Sequence, residues 1–287
     1  GLGTPRALEA WGAHGHTISG HAAAARLPGE MPKFFRKATR QLAYLNPEPD
    51  RWRGAGMKEV DEAFRYDHYL DLEIVPPDAL DAEDRYDYLE ELQKAGLADP
   101  ARDAGLLPFR VVELYQRLTI EFRLWRNARN GRERAWIEER ILNDAGILGH
   151  YVTDAANPHH ATIHFNGWAK GAPNPRGYTT DNTFHRRFES DFVGARVTLA
   201  DLLPRVNAAP RRLENPRAEV IRYIRDSNAL VERLYQLDQQ QRFDAQNTSA
   251  AHKEFAVERL AAGVEMLRAL WWTAWLESGT PVAERRP

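Results

Sequence analysis

His150 and Asp154 stand four residues apart in an apolar run that includes Ile147, Leu148, Tyr151 and Val152. On a helix, side chains at that spacing leave from one face. A carboxylate carried into apolar surroundings needs a partner, and a cation is a good one. His160 follows just beyond Asn157-Pro158, where a short turn can return it to the same place. His185 and Glu189 repeat the four-residue spacing between Phe184 and Phe188. Zinc takes imidazole nitrogen and carboxylate oxygen at about 2.0–2.2 Å, normally from four ligands. Two such pairs on separate helices, with His160 between them, supply most of a site. A single pair is more often a surface ion pair or a satisfied core histidine; the recurrence within about 40 residues is what points to metal.

Other residues carry weaker signals. Upstream, Trp11, His16, Asp50 and His68 are too dispersed for spacing to assign them. His14 and His21 flank His16; His14 is two residues from His16, on another face, and reads as solvated. His159 competes with His160 for the place after the helix. No pattern supports His164 or His252. Asp61, Asp67 and Asp71 surround His68 and read as surface or supporting groups. Trp168 and Tyr178 either anchor their loop or stack on a ligand. Arg186 and Arg187 either meet a phosphate or form a solvated face.

Composition narrows the chemistry. With no cysteine, disulfides and thiolate sites are excluded, so a transition metal must be held by histidine and carboxylate. The formal charge of −2 gives no bulk attraction for nucleic acid or anionic lipid, so a local groove or bound metal must supply it. No run of 18 apolar residues exists to span a membrane.

The elements that must position these residues read as helices. The periodicity predicts a first helix from about His14 to Ala25. A second runs from Pro32 to Leu45 and ends at the breaker run Asn46-Pro47-Glu48-Pro49. Asp67 to Glu73 reads as extended or irregular, and residues 82–95 as a short polar helix. Long helices follow over Pro108–Arg129 and Arg132–Ala155, then a Gly/Pro-rich loop at 165–181. Helices resume over Asn182–Leu203, Pro216–Gln241 and Ser249–Glu277. With no internal repeat and no clear linker, the expectation is one all-α domain.

Taken together, these segments resemble the superfamily that unites bacterial zinc-dependent phospholipase C with the single-strand-specific zinc nucleases. The run from Leu148 to His160 (LGHYVTDAANPHH) is similar to its central His-aromatic-x-x-Asp-x-x-x-Pro-x-His pattern. The run from Phe184 to Glu189 (FHRRFE) resembles its His-x-x-x-Glu motif. The opening WGAHGH from Trp11 to His16 resembles the Trp-Gly-x-x-Gly-His start of the nuclease branch. Asp67–Asp71, Pro49–Trp52 and the Trp-rich Leu270–Leu276 also match in order, so the likeness covers Trp11 to about Gly279.

The resemblance implies an all-α bundle of the phospholipase C/nuclease type, with long loops around a cleft holding three zinc ions. Asp50, His68, His150 and Asp154 would hold one ion, and His160, His185 and Glu189 a second. The backbone amine and carbonyl of Trp11, His16 and the second oxygen of Asp154 would hold the third. Family spacing favours His160 over His159. Asp50 would act as general base or orient the attacking water, and Asp154 would bridge two metals. In the family the tryptophan is a free N-terminus, whereas ten residues precede Trp11 here. An amide nitrogen cannot replace an amine, because its lone pair is delocalised. The expectation is therefore a leader at 1–10 that is cleaved after Ala10, a phosphoesterase domain at 11–279 and a tail at 280–287. A secreted or periplasmic location follows from the resemblance, although no apolar signal core is visible. The implied substrate is a phosphodiester. Glu189 leans the reading to a phospholipase C-like activity, and the Trp-Gly-x-x-Gly-His opening favours a nuclease. A helical binding protein with a vestigial metal site is the non-enzymatic alternative.

Overall fold

A computed structural model describes residues 11–53 and 55–281; the expected leader and residues 282–287 of the expected tail lie outside them. The architecture rests on α1 (Gly12–Ala25), α2 (Thr39–Leu45), α3 (Leu107–Arg126), α4 (Gly131–Ala156), α5 (Pro216–Asn228) and α6 (Ala250–Glu277), joined by shorter helical turns. Among the described residues there is no strand beyond one isolated bridge between Phe165 and Gly167. Nor, among the described residues, is any helix long and apolar enough to cross a membrane.

α4 is the axis of the molecule. Asn130 opens it, its side-chain oxygen accepting from the amides of Arg132 and Glu133 at 3.0 Å. Asn157 closes it in an extended conformation, as the residue before a proline prefers. Every residue from Asp144 to Ala156 is buried. α1, α2, α3, α5 and α6 all pack around it. Side chains from these neighbours donate to its carbonyls: Trp271 to Ala145, Tyr223 to Val152, Trp11 to Thr153 and Ser227 to Ala155, at 2.6–3.2 Å. The site-bearing end of α4 is thus held in rotation as well as in depth.

Close approach needs glycine at two places on α4. A Cβ on Gly146 would lie 2.3 Å from Leu45, and one on Gly149 would lie 2.4 Å from the side-chain nitrogen of Asn46. These gaps let the C-terminal end of α2 reach the face of α4 that carries His150.

Several element boundaries differ from the sequence reading, each for a local reason. Pro32–Leu45 divides at Ala38 into Lys33–Lys37 and α2. The expected breaker run instead starts a helix, Glu48–Trp52, because a proline in the first turn removes only an amide that has no helical partner. Asp67–Glu73 is irregular as expected at Tyr69–Asp71, with Tyr69 extended, but its two ends belong to the 3₁₀ turns Arg65–His68 and Leu72–Ile74; a helix at Lys58–Phe64 precedes it that the periodicity did not signal. The expected Asn182–Leu203 helix ends at Arg196. Val197 and Thr198 are extended, and Thr198 starts Leu199–Leu202 with a reciprocal cap to Asp201. Pro216–Gln241 turns at Ala229 and Leu230 into a separate Val231–Gln240 helix. There Asn228 reaches across to the carbonyl of Ala161.

Candidate metal centre

His150 and Asp154 face inward from the buried end of α4, and both are fully buried. His16 comes from α1, Asp50 from the Glu48–Trp52 turn and His68 from the end of the Arg65–His68 turn. Asn157 turns the chain so that Pro158–Ala161 brings His160 back. His185 and Glu189 lie on the 184–196 helix, whose 187–192 stretch is π-helical. Wide turns of that kind concentrate at functional sites.

These residues form three contiguous groups: His16, His150 and Asp154; Asp50, His68 and His150; and His160, His185 and Glu189. Within each group the ligand atoms lie within 4.8 Å of one another. Asp154 divides its oxygens between neighbours. Oδ1 lies 3.3 Å from His16 Nε2, while Oδ2 lies 3.0 Å from His68 Nδ1 and 3.3 Å from His150 Nε2. Asp50 stands 3.7 Å from His150 and 4.0 Å from His16. Glu189 Oε1 lies 2.7 Å from His185 Nε2 and 3.1 Å from His160 Nε2. His150 belongs to two groups, a sharing that spacing did not indicate.

The imidazoles are oriented by carbonyl oxygens, which can only accept. His16 Nδ1 donates to the side chain of Asn46 at 3.0 Å, and His150 Nδ1 to the backbone carbonyl of the same residue at 3.0 Å. His160 Nδ1 donates to the carbonyl of His68 at 2.6 Å. In the neutral tautomer these bonds leave Nε2 as a lone pair directed among carboxylates. His16 Nε2, both oxygens of Asp50, His68 Nε2, Asp154 Oδ1 and Glu189 Oε2 are buried with no hydrogen-bond partner. Electron pairs facing one another in a dry interior repel, so the donor set fits divalent cations.

Burial and the neighbouring charges also shift these groups. Burial alone would lower His160, but the carboxylates of Asp154 and Glu189 outweigh it and hold the ring at about 9. Burial pushes Asp50 up to about 8, with the charge of Asp154 adding to it and His16 opposing. Burial lowers His150 to about 4 despite Asp154. Burial works against the Asp154 carboxylate, yet His150 and His160 keep it well below the usual range.

Beside the cluster lies a cleft of about 460 Å³. His68, His159, His160 and His185 line its inner part, and Arg53, Arg65, Arg102, Asp71, Asp103, Tyr66, Tyr69 and Phe165 its remaining wall. None of the three arginines stood out in the sequence, because no spacing rule links them. Asn46 also escaped notice; it read as a helix breaker, whereas its two oxygens orient two imidazoles. Asn157 was legible as a helix end but not as the donor to Glu189 Oε1.

Trp11 is fully buried at the start of α1, with φ 46°, a left-handed conformation that bulky residues seldom adopt. Its carbonyl accepts the first bond of α1 from Gly15. His14 is exposed on the far side of α1, as its spacing from His16 predicts, but its ring is not free in solvent: Nε2 donates to the carbonyl of Val197 at 2.8 Å. His159 is fully buried against His185, Phe184 and Phe188. His164 stacks on Trp168, which packs with Tyr178 against Tyr235 and so anchors the loop. His252 caps the Val231–Gln240 helix through the carbonyls of Leu237 and Gln241.

Asp67 is buried between Arg85 and Arg110, and Asp71 is buried on the cleft wall; neither is a surface group. Asp61 pairs with Arg65. Arg187 overturns both readings of its pair. It is buried and held by Asp238, Asp181 and the carbonyl of Phe243, so it neither meets a phosphate nor lies on a solvated face. Arg186 is the exposed member, paired with Asp191. No family model, curated protein or solved structure matches the chain.

Proposed function

We propose that this chain is a metal-dependent hydrolase of phosphodiesters, built as an all-α bundle of the phospholipase C/nuclease type. The observation that carries the reading is the set of buried, partnerless imidazole and carboxylate atoms from five segments of chain, gathered beside an arginine-lined cleft. Asp50, His68, His150 and Asp154 would hold one ion and His160, His185 and Glu189 another. A third would lie with His16, the second oxygen of Asp154 and the Trp11 backbone once its amine is free. Divalent ions, zinc foremost, supply Lewis acidity toward phosphoryl oxygens and a hydroxide nucleophile at neutral pH.

The chain's own residues do the rest. Asn46 and the His68 carbonyl keep the imidazoles in the ligating tautomer. Arg53, Arg65 and Arg102 would offer a phosphate in the cleft charge-assisted hydrogen bonds in exchange for their pairs with Asp50, Asp61 and Asp99. Asp50, whose oxygens have no hydrogen-bond partner, is placed to take a proton or orient water. Burial of the cluster restricts bulk water from its charges, which strengthens every electrostatic contact there.

Elemental analysis of purified protein, paired with assays on a generic phosphodiester, phosphatidylcholine and single-stranded DNA, tests the reading. About three zinc ions per chain and chelator-sensitive turnover of at least one substrate are expected. A metal-free protein that binds no zinc on titration overturns it and favours the helical binding protein.

A further inference from the structure

His16, His150, His160 and His185 all direct Nε2 toward a carboxylate of the cluster. In the first three, Nδ1 donates to a carbonyl oxygen that holds the ring in place. His185 lacks this bond among the described residues: its Nε2 lies 2.7 Å from Glu189, and its Nδ1 is buried with no hydrogen-bond partner. A ligating histidine almost always gives its other ring N–H to an acceptor, because that bond fixes the tautomer and the ring orientation. The side chain packed along the His185 ring is His159, with centroids 4.9 Å apart and planes inclined by 35°. His159 belongs to none of the three ligand groups. It is fully buried, and neither of its ring nitrogens has a partner. Phe184, Phe188 and Tyr235 meet its ring edge-on, with centroids at 4.7, 5.7 and 6.4 Å. The Tyr235 hydroxyl is already donated to the carbonyl of His164. A leucine or methionine would fill such a pocket and leave no polar atom unsatisfied, so packing alone does not explain an imidazole there.

We propose that His159 is the positioning residue of His185: one His159 nitrogen accepts the Nδ1–H of His185 and so turns Nε2 toward Glu189 and the ion proposed for that group. The inference rests on the metal reading of the centre. A neutral imidazole carries one acceptor nitrogen, which serves His185 as carbonyl oxygens serve the other three rings. The spacing allows it. His68 and His150 also have centroids 4.9 Å apart, and there a nitrogen of one ring lies 3.1 Å from a nitrogen of the other. Rotation of a ring about its bond to Cβ makes the same contact available to His159 and His185. His159 then stands behind a ligand rather than in place of one.

Nitrogen NMR of the full-length, zinc-loaded chain with isotopically labelled histidine reads the pairing directly. A scalar coupling across the hydrogen bond is expected between His185 Nδ1 and a nitrogen of His159; a His185 Nδ1–H signal without that coupling overturns the proposal. Zinc titration against a chromophoric chelator reads its consequence. His159→Leu keeps the apolar volume and removes the acceptor. It is expected to weaken the affinity for one ion about tenfold or more and to leave the others at the parent level. His159→Asn and His159→Gln offer an amide oxygen at the reach of Nδ1 and of Nε2, and one of them is expected to recover most of the loss. Parent affinity in His159→Leu overturns the proposal, and so does a loss that neither amide relieves, which marks the ring as packing alone. The coupling is read on the parent protein, so it decides even where the leucine variant fails to fold. A parent chain that binds no zinc overturns the metal reading, and the coupling in that metal-free chain still decides whether the two rings pair.

Discussion

At the scale of single residues, Asp154 and Asn46 do the most with the fewest atoms. Asp154 presents one oxygen to His16 and the other to His68 and His150, so one substitution reaches both groups. Asp154→Asn is expected to lower the metal content by at least one ion and bring diester turnover to near background. Elemental analysis and a rate assay check this, and full metal with full activity would contradict the proposed centre. Asn46 touches none of the carboxylates, yet it fixes two imidazole tautomers. Asn46→Ala removes the acceptor for His16 and leaves the backbone acceptor for His150. Zinc affinity is expected to fall about 10–100-fold, as measured by competition with a chromophoric chelator.

At the scale of elements, the approach of α2 to α4 decides whether Asn46 can reach its rings. A Cβ on Gly149 would meet the Asn46 side chain at 2.4 Å and crowd Leu267 at 3.0 Å. Gly149→Ala is expected to cost about 1–3 kcal/mol in denaturant unfolding and to weaken zinc binding with it. The other informative contact joins α3 to α4, where Glu121 and Asp144 are buried beside each other under Arg117 and Arg140. Burial, with the Asp144 charge adding to it, pushes the Glu121 carboxyl up to about 7. Between its unfolded value of about 4.3 and that folded value, the native state holds a proton that the unfolded chain has released. Stability from this group is therefore complete below about pH 4.3 and is lost as the pH rises toward 7. Glu121→Gln is expected to flatten the dependence of the urea midpoint between pH 5 and 8. An unchanged profile would show that the proton is not held there.

At the scale of the whole molecule, the centre draws on residues from His16 to Glu189. It therefore ties α1, α4, the 184–196 helix and the turns bearing Asp50 and His68 to a common point. Ions that bind only the folded chain stabilise it by about 2.7 kcal/mol at a free concentration one hundred times the dissociation constant. Chelation is expected to lower the melting temperature by several degrees, and added zinc to restore it; calorimetry with and without chelator checks this. An identical melting temperature in both conditions would mean that the cluster holds no ion.

The all-helical class, the spans of α3, α4 and α6, and the pairs His150/Asp154 and His185/Glu189 were legible from the sequence, because helical periodicity and four-residue spacing are local properties of the chain. The resemblance of ordered motifs placed His16, Asp50 and His68 among the candidate ligands, though no local spacing could. Tertiary structure alone decided that these side chains meet. It also assigned Asn46 to two imidazoles, buried Arg187 against Asp238 and set three arginines around one cleft. Each of those contacts joins residues far apart in the chain, and their distances are set by how helices pack. Glycines such as Gly149 control that packing, and their role is invisible until the neighbouring helix is in place.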